Sequence, residues 1–146
     1  MRIVLDTNII VSRYVTPRGR VARIVDLWEQ GAFELVTSEV ILGEYARVLN
    51  YPRLRPIHRL TDAQLAEIDE GFRELTELTE LTKLIEPDES PAVVKEDPDD
   101  DHFLACAGSG EADCLVTGDP HLLKLGSYQE IPILSPADFL SRFFPG

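Results

Sequence analysis

Two short apolar runs in this chain end in the same way. Arg2-Ile3-Val4-Leu5 stops at Asp6-Thr7-Asn8, and Cys114-Leu115-Val116-Thr117 stops at Gly118-Asp119. A short apolar run without polar alternation suits a strand buried on both faces, the environment of a parallel sheet covered by helices. In an open α/β sheet, ligands and chemistry gather outside the carboxyl ends of the strands. Asp6 and Asp119 each fall at such a place, beside a hydroxyl. A plainer reading stays open for the first: Asp6 and Asn8 are good capping residues and serve only to start the helix that follows.

The remaining segments fit the same architecture. Ile9-Ile10-Val11 leads into Ser12–Val15, a first helical turn, and Thr16-Pro17-Arg18-Gly19 is a loop by its proline and glycine. Val21, Ile24, Val25 and Trp28 recur at helical spacing, and Gly31 closes that helix as a C′ glycine. Phe33–Val36 predicts a second strand. Thr37 and Ser38 offer an N-cap to a helix over Glu39–Leu49, and Glu39 complements its dipole. Tyr51 to Pro56 is a loop fixed by two prolines. Thr61 and Gln64 make a capping box for a helix carrying Leu65, Ile68, Phe72 and Leu75. That helix runs into a strand near Leu81–Ile85, and Pro87 to Pro91 is a loop. Ile131–Leu134 is a last strand, whose proline suits a sheet edge. Pro136 to Phe144 is a closing helix with Phe139, Leu140 and Phe143 as its apolar face. At 146 residues the chain is expected to form one domain, 1–146.

Two further acidic features need a reason. Glu44 falls inside the apolar stripe of its helix, three residues from Ile41 and four from Val40, with Tyr45 and Val48 continuing the stripe. A carboxylate on a core-facing stripe loses hydration and needs a partner. The alternative is an edge position that reaches water or pairs with Arg47. The second feature is Asp97-Pro98-Asp99-Asp100-Asp101, four aspartates within five residues. Asp97 suits an N-cap and Pro98 the first helical position of a helix continuing through Phe103–Ala107. Capping and the helix dipole account for only part of the cluster, and a cation would offset the repulsion of the rest. Asp101 precedes Leu104 and Ala105 by three and four residues, which puts it on the inward side.

The net charge of −12 argues against casual nucleic-acid binding, yet it is unevenly spread. Residues 1–60 hold 9 Lys/Arg against 6 Asp/Glu, whereas residues 61–146 hold 5 against 20. The cations gather at Arg13, Arg18, Arg20 and Arg23, and again at Arg47, Arg53, Arg55 and Arg59. They matter only if they flank a reactive site. Cys106 and Cys114 lie in apolar surroundings without zinc-ligand spacing and are expected to be buried thiols of a reducing compartment. No apolar run is long enough to cross a bilayer and no secretory leader is visible, so a cytoplasmic location is expected.

Leu5-Asp6-Thr7-Asn8, Glu44, Asp97 to Ala105 and Val116-Thr117-Gly118-Asp119, in this order and spacing, resemble the PIN-domain nucleases. The nearest branch is the one described as toxins of toxin–antitoxin pairs. The resemblance implies a three-layer α/β/α fold with a central parallel sheet ordered 3-2-1-4-5. It implies acids converging at the carboxyl edge of that sheet to bind Mg²⁺ or Mn²⁺. Those positions map to Asp6, Glu44, Asp101 and Asp119, with Asn8 and Thr117 as polar supports and Asp97 and Asp99 as lesser ligands. The implied activity is metal-dependent hydrolysis of single-stranded RNA; if Arg13, Arg18, Arg20 and Arg23 flank the site, they are expected to hold the RNA backbone. An antitoxin protein and a homodimer are the implied partners, with no membrane.

Two other classes compete. A phosphoaspartyl protein would use an Asp after the first strand as nucleophile. Here, however, Asn8 stands where the phosphatase pattern has a second Asp, and Lys124 is the sole candidate lysine. A non-catalytic RNA- or protein-binding module on the same fold has no need of all four acids.

Overall fold

The computed structural model describes residues 1–78, 82–86 and 101–145. Its sheet is built around β1 (Arg2–Leu5), in which Ile3, Val4 and Leu5 are fully buried. On one side β1 pairs in parallel with β2 (Glu34–Thr37), which pairs in parallel with β3 (Thr82–Leu84). On the other side it pairs in parallel with β4 (Cys114–Val116), which pairs in parallel with β6 (Ile131–Leu134). A two-residue antiparallel strand, β5 (Ser127–Tyr128), closes the far side, so the order is β3-β2-β1-β4-β6-β5. The five parallel strands follow the expected 3-2-1-4-5 order, and the antiparallel β5 is an addition. The order reverses between β1 and β4, so the crevice outside their carboxyl ends is the topological switch point of the sheet.

Helices cover both faces. α1 (Thr7–Val15) begins directly at the end of β1, five residues earlier than the turn expected at Ser12. α2 (Ala22–Glu29) ends in a Schellman motif, with Gly31 at φ 82° and hydrogen bonds from Gly31 to Trp28 and from Ala32 to Leu27. α3 (Glu39–Leu49) is capped by Ser38, whose hydroxyl accepts from the Ile41 amide. α5 (Asp62–Leu78) opens with the reciprocal Thr61–Gln64 capping box. α6 (Asp101–Ser109) packs on β1, β2 and β4 before the chain enters β4. α7 (Pro120–Leu123) and α8 (Pro136–Phe143) complete the chain. Trp28, Phe72 and Tyr45 form one aromatic run of the core, with ring centroids 5.8 and 5.9 Å apart. Cys106 and Cys114 are free and buried. No helix among the described residues is long and apolar enough to cross a membrane.

Four local expectations are corrected. The Tyr51–Pro56 loop gives way to a short helix, α4 (Arg55–His58), because a proline in the first helical turn costs no hydrogen bond. Pro132 does not lie on an outer edge: β6 stands between β4 and β5, and Pro132 faces Ser127 of the short hairpin. Val40 and Phe143 are exposed, not part of the apolar faces assigned to them. The loop expected at Pro87 to Pro91 and the Asp97 cap lie outside the described residues.

Candidate active site

Asp6 stands where β1 stops and α1 starts. It is only 5% exposed, and it caps α1: its Oδ1 accepts from the Thr7 amide at 2.7 Å. Its Oδ2 accepts from the Thr117 hydroxyl at 2.5 Å. Thr117 follows β4, the next strand across the switch point, and is itself fully buried. The same Thr117 oxygen accepts from the Asp119 amide at 2.9 Å. On the other side, the Thr7 hydroxyl donates to Glu44 Oε2. The five residues Glu44, Thr7, Asp6, Thr117 and Asp119 therefore form one hydrogen-bonded chain across the carboxyl ends of β1 and β4. Two threonines, Thr7 one residue after Asp6 and Thr117 two residues before Asp119, tie three acids together.

The electrostatics of Asp6 match this crowding. Burial pushes its pKa up from 3.8 to about 6, and the charges of Glu44 and Asp119 push the same way. The hydrogen bonds from Thr117 and Thr7 oppose that rise without cancelling it. Glu44 and Asp119 keep contact with solvent through side chains 16% and 17% exposed. Glu44 Oε1 lies 3.6 Å from Arg47 Nη2, so the i,i+3 pairing and the inward reach are both real. Asp119 caps α7 by accepting from the His121 amide at 2.8 Å.

Asp101 is 5% exposed at the first position of α6. Since α6 runs back over β1, β2 and β4, its start lies toward their carboxyl ends. Asn8 is exposed on α1 and Thr7 takes the bridging place beside it. Asp97 and Asp99 lie outside the described residues. Among the described residues, no three acidic, histidine or cysteine side chains stand close enough to enclose a metal ion.

Of the four arginines expected to flank the acids, Arg13 and Arg23 engage other groups. Arg13 Nε pairs with Asp26 at 2.9 Å. Arg23 donates to the Phe144 carbonyl at 3.2 Å, and with Arg20 it lines a cavity of about 370 Å³ against α8. Arg18 is exposed in the loop before α2. Arg47 pairs with Glu44, and the ring of His121 lies 3.6 Å from Asp119.

Sequence reasoning missed two residues here, Thr7 and Tyr45, and read Arg47 only as a partner of Glu44. Thr7 was visible as the residue after a strand-ending Asp, the counterpart of Thr117. Arg47 was visible only as a helical neighbour of Glu44. Tyr45 carried no signal beyond its place in an apolar stripe, yet its hydroxyl donates to the Leu5 carbonyl at 2.5 Å, one residue before Asp6. Burial holds that phenol well above its ordinary pKa, and the nearby Cys106, Asp6 and Glu44 add to the effect.

A doubly covered parallel sheet with acids at its switch point defines an open α/β protein built around an acidic crevice. The family model described as "PIN domain" matches residues 2–121, and the chain belongs to that family. It is 26% identical over 151 residues to the uncharacterized protein MJ1680 of Methanocaldococcus jannaschii, which covers 98% of this chain and 92% of that protein. Two solved structures share the fold. One is VapBC2 from Rickettsia felis bound to a DNA fragment from their promoter, with TM-score 0.56, 12% identity, and coverage of 92% of this chain and 98% of that one. The other is FitAcB from Neisseria gonorrhoeae, with TM-score 0.55, 17% identity and the same coverage.

Proposed function

We propose that this chain is a Mg²⁺- or Mn²⁺-dependent endoribonuclease that hydrolyses single-stranded RNA, the toxin of a toxin–antitoxin pair. The observation that carries the proposal is the hydrogen-bonded chain of Glu44, Thr7, Asp6, Thr117 and Asp119, with a buried Asp6 whose pKa is driven up by burial and by its acidic neighbours. A carboxylate kept out of water beside two others is held at a cost unless a cation joins it.

The donor set fits a hard divalent cation, because every candidate ligand is a carboxylate oxygen. Asp6, Glu44, Asp101 and Asp119 would have to draw together to hold the ion, since no three of them enclose one as they stand, with Thr117 and Asn8 as polar supports and Asp97 and Asp99 as further donors. When bound, such an ion supplies a water of lowered pKa and offsets charge on an attacked phosphate. The protein's part is positional. Thr7 and Thr117 hold both oxygens of Asp6 and leave each with a second lone pair. Glu44 and Asp119 reach the solvent side, where a phosphodiester arrives. Arg47, beside Glu44 and exposed, offers a cation to a flanking phosphate, and Arg13, Arg18, Arg20 and Arg23 serve RNA held further away.

An Asp6 nucleophile is disfavoured because Asn8 stands where the phosphatase pattern has its second Asp. The antitoxin partner, a homodimer and a cytoplasmic location belong to the toxin reading, which the likeness of fold to the VapBC2 and FitAcB assemblies supports. The test compares the parent, Asp6→Asn, Asp101→Asn and the surface control Glu130→Gln on one labelled single-stranded RNA, with Mg²⁺, Mn²⁺ or chelator. Cleavage should fall to background in the first two variants and in chelator, and stay at the parent rate in the control. Full activity of Asp6→Asn, or cleavage in chelator, would end the metallonuclease reading.

A further inference from the structure

Two hydrogen bonds cross between α3 and the junction of β1 with α1, and they straddle Asp6. Thr7, one residue after Asp6, donates its hydroxyl to Glu44. Tyr45, the next residue after Glu44, donates its hydroxyl to the carbonyl of Leu5, one residue before Asp6, at 2.5 Å. The Tyr45 bond sits where the sheet opens. The ladder of β1 with β2 pairs Arg2 with Glu34 and Ile3 with Leu35 and stops there, whereas the ladder with β4 continues to Leu5 opposite Val116. The phenol thus reaches the last carbonyl of β1 past the end of its pairing with β2. Tyr45 is fully buried, and its ring is held against Phe72. A buried ring of this kind has one orientation, so its hydroxyl fixes the height of α3 relative to β1.

Leu5 and Thr7 on one segment, with Glu44 and Tyr45 on the other, make a clasp of two bonds around one carboxylate. Thr7 acts on the Glu44 side chain alone. Tyr45 acts on the backbone that carries Asp6, and through its own helix on the backbone that carries Glu44. We propose that Tyr45 is a positioning residue that sets the spacing between Asp6 and Glu44 and thereby the affinity of the site for its divalent cation. This rests on the metal-dependent reading above. Tyr45 touches neither substrate nor reacting atoms; its effect passes through the Leu5 carbonyl.

The test uses Tyr45→Phe, which removes one oxygen and keeps the ring, beside Phe72→Leu, which loosens the same aromatic contact without touching the hydroxyl. Mn²⁺ is titrated into each RNA-free protein and the melting temperature followed; KM and kcat for RNA are then measured at saturating and limiting Mn²⁺. Tyr45→Phe should need about tenfold more Mn²⁺ for half of the full thermal shift, and should lose kcat at limiting Mn²⁺ with KM for RNA unchanged. Phe72→Leu should melt lower without metal yet keep the parent Mn²⁺ midpoint. A Tyr45→Phe protein that melts lower but keeps the parent Mn²⁺ midpoint would overturn the proposal and leave Tyr45 as a core hydroxyl only. A parent protein that shows no thermal shift with Mn²⁺ would overturn the metal-dependent reading itself and this inference with it.

Discussion

Asp6 binds its proton more tightly in the folded chain than in the unfolded one, because burial first, then Glu44 and Asp119, disfavour its charge. A folded pKa of about 6 against 3.8 means that the folded state carries the extra proton between those values. Stability from this group is therefore fully present below about pH 4 and is lost as pH rises through 6. The loss amounts to about 3 kcal/mol for a shift of roughly two units. With chelator present, Asp6→Asn should raise the unfolding free energy from urea titration at pH 8 by an amount of this order, with a higher midpoint, and the advantage should shrink toward zero at pH 4. Equal midpoints at pH 8 would show that the folded environment does not oppose the charge. The acids themselves were legible because a charged residue ending a doubly buried strand has little reason to be there. The bridging hydroxyl was not. Asn8 and Thr7 look equivalent as polar neighbours of Asp6, but α1 begins at Thr7 and successive helical residues turn about 100°. Thr7 therefore faces Glu44 and Asn8 faces water. That choice depends on where α3 packs, which no local pattern records.

The hairpin joining β5 to β6 turns on Gln129 and Glu130, with φ of 49° and 68°. Two left-handed residues in a two-residue loop make a turn of the I′ kind, which favours Asn-Gly. Gln-Glu carries no such signature, and this is why β5 was invisible in the sequence while β1, β2, α3 and β6 were not. A side chain at positive φ costs about 1–2 kcal/mol, so Glu130→Gly should stabilise the chain by about 1 kcal/mol after the entropy of glycine is counted. The readout is the urea midpoint, and a fall in that midpoint would mean that Glu130 makes an offsetting contact. Gly110 has the opposite constraint. A Cβ there would run into the Val36 side chain, and it would sit 2.9 Å from the Cys106 carbonyl. Gly110→Ala should cost about 1–3 kcal/mol by overpacking the end of α6 against β2, seen as a lower melting temperature with no change in cation response. The close approach of α6 to β2 is a tertiary fact that no local pattern records.

For the molecule as a whole, strand order was legible only through the resemblance of four separated motifs, since no single segment encodes which strand neighbours which. The distribution of charge was legible as numbers but not as a map, and the arginines near α2 turned out to engage Asp26 and the end of α8. The two buried cysteines have a different use at this scale. Burial lifts both thiols to about 12. At pH 8 only about one in 10⁴ of each is thiolate, and neither is open to a bulky reagent. Cys106 lies in α6 and Cys114 in β4, at the centre of the structure. Alkylation of the native chain should therefore proceed only as often as that centre comes apart, making the pair a stopwatch for opening of the native state. Labelling by a maleimide, followed by mass spectrometry, should slow in Glu130→Gly, quicken in Gly110→Ala and stop almost entirely when a cation fills the crevice. Labelling as fast as that of a free thiol would mean that the centre breathes without unfolding.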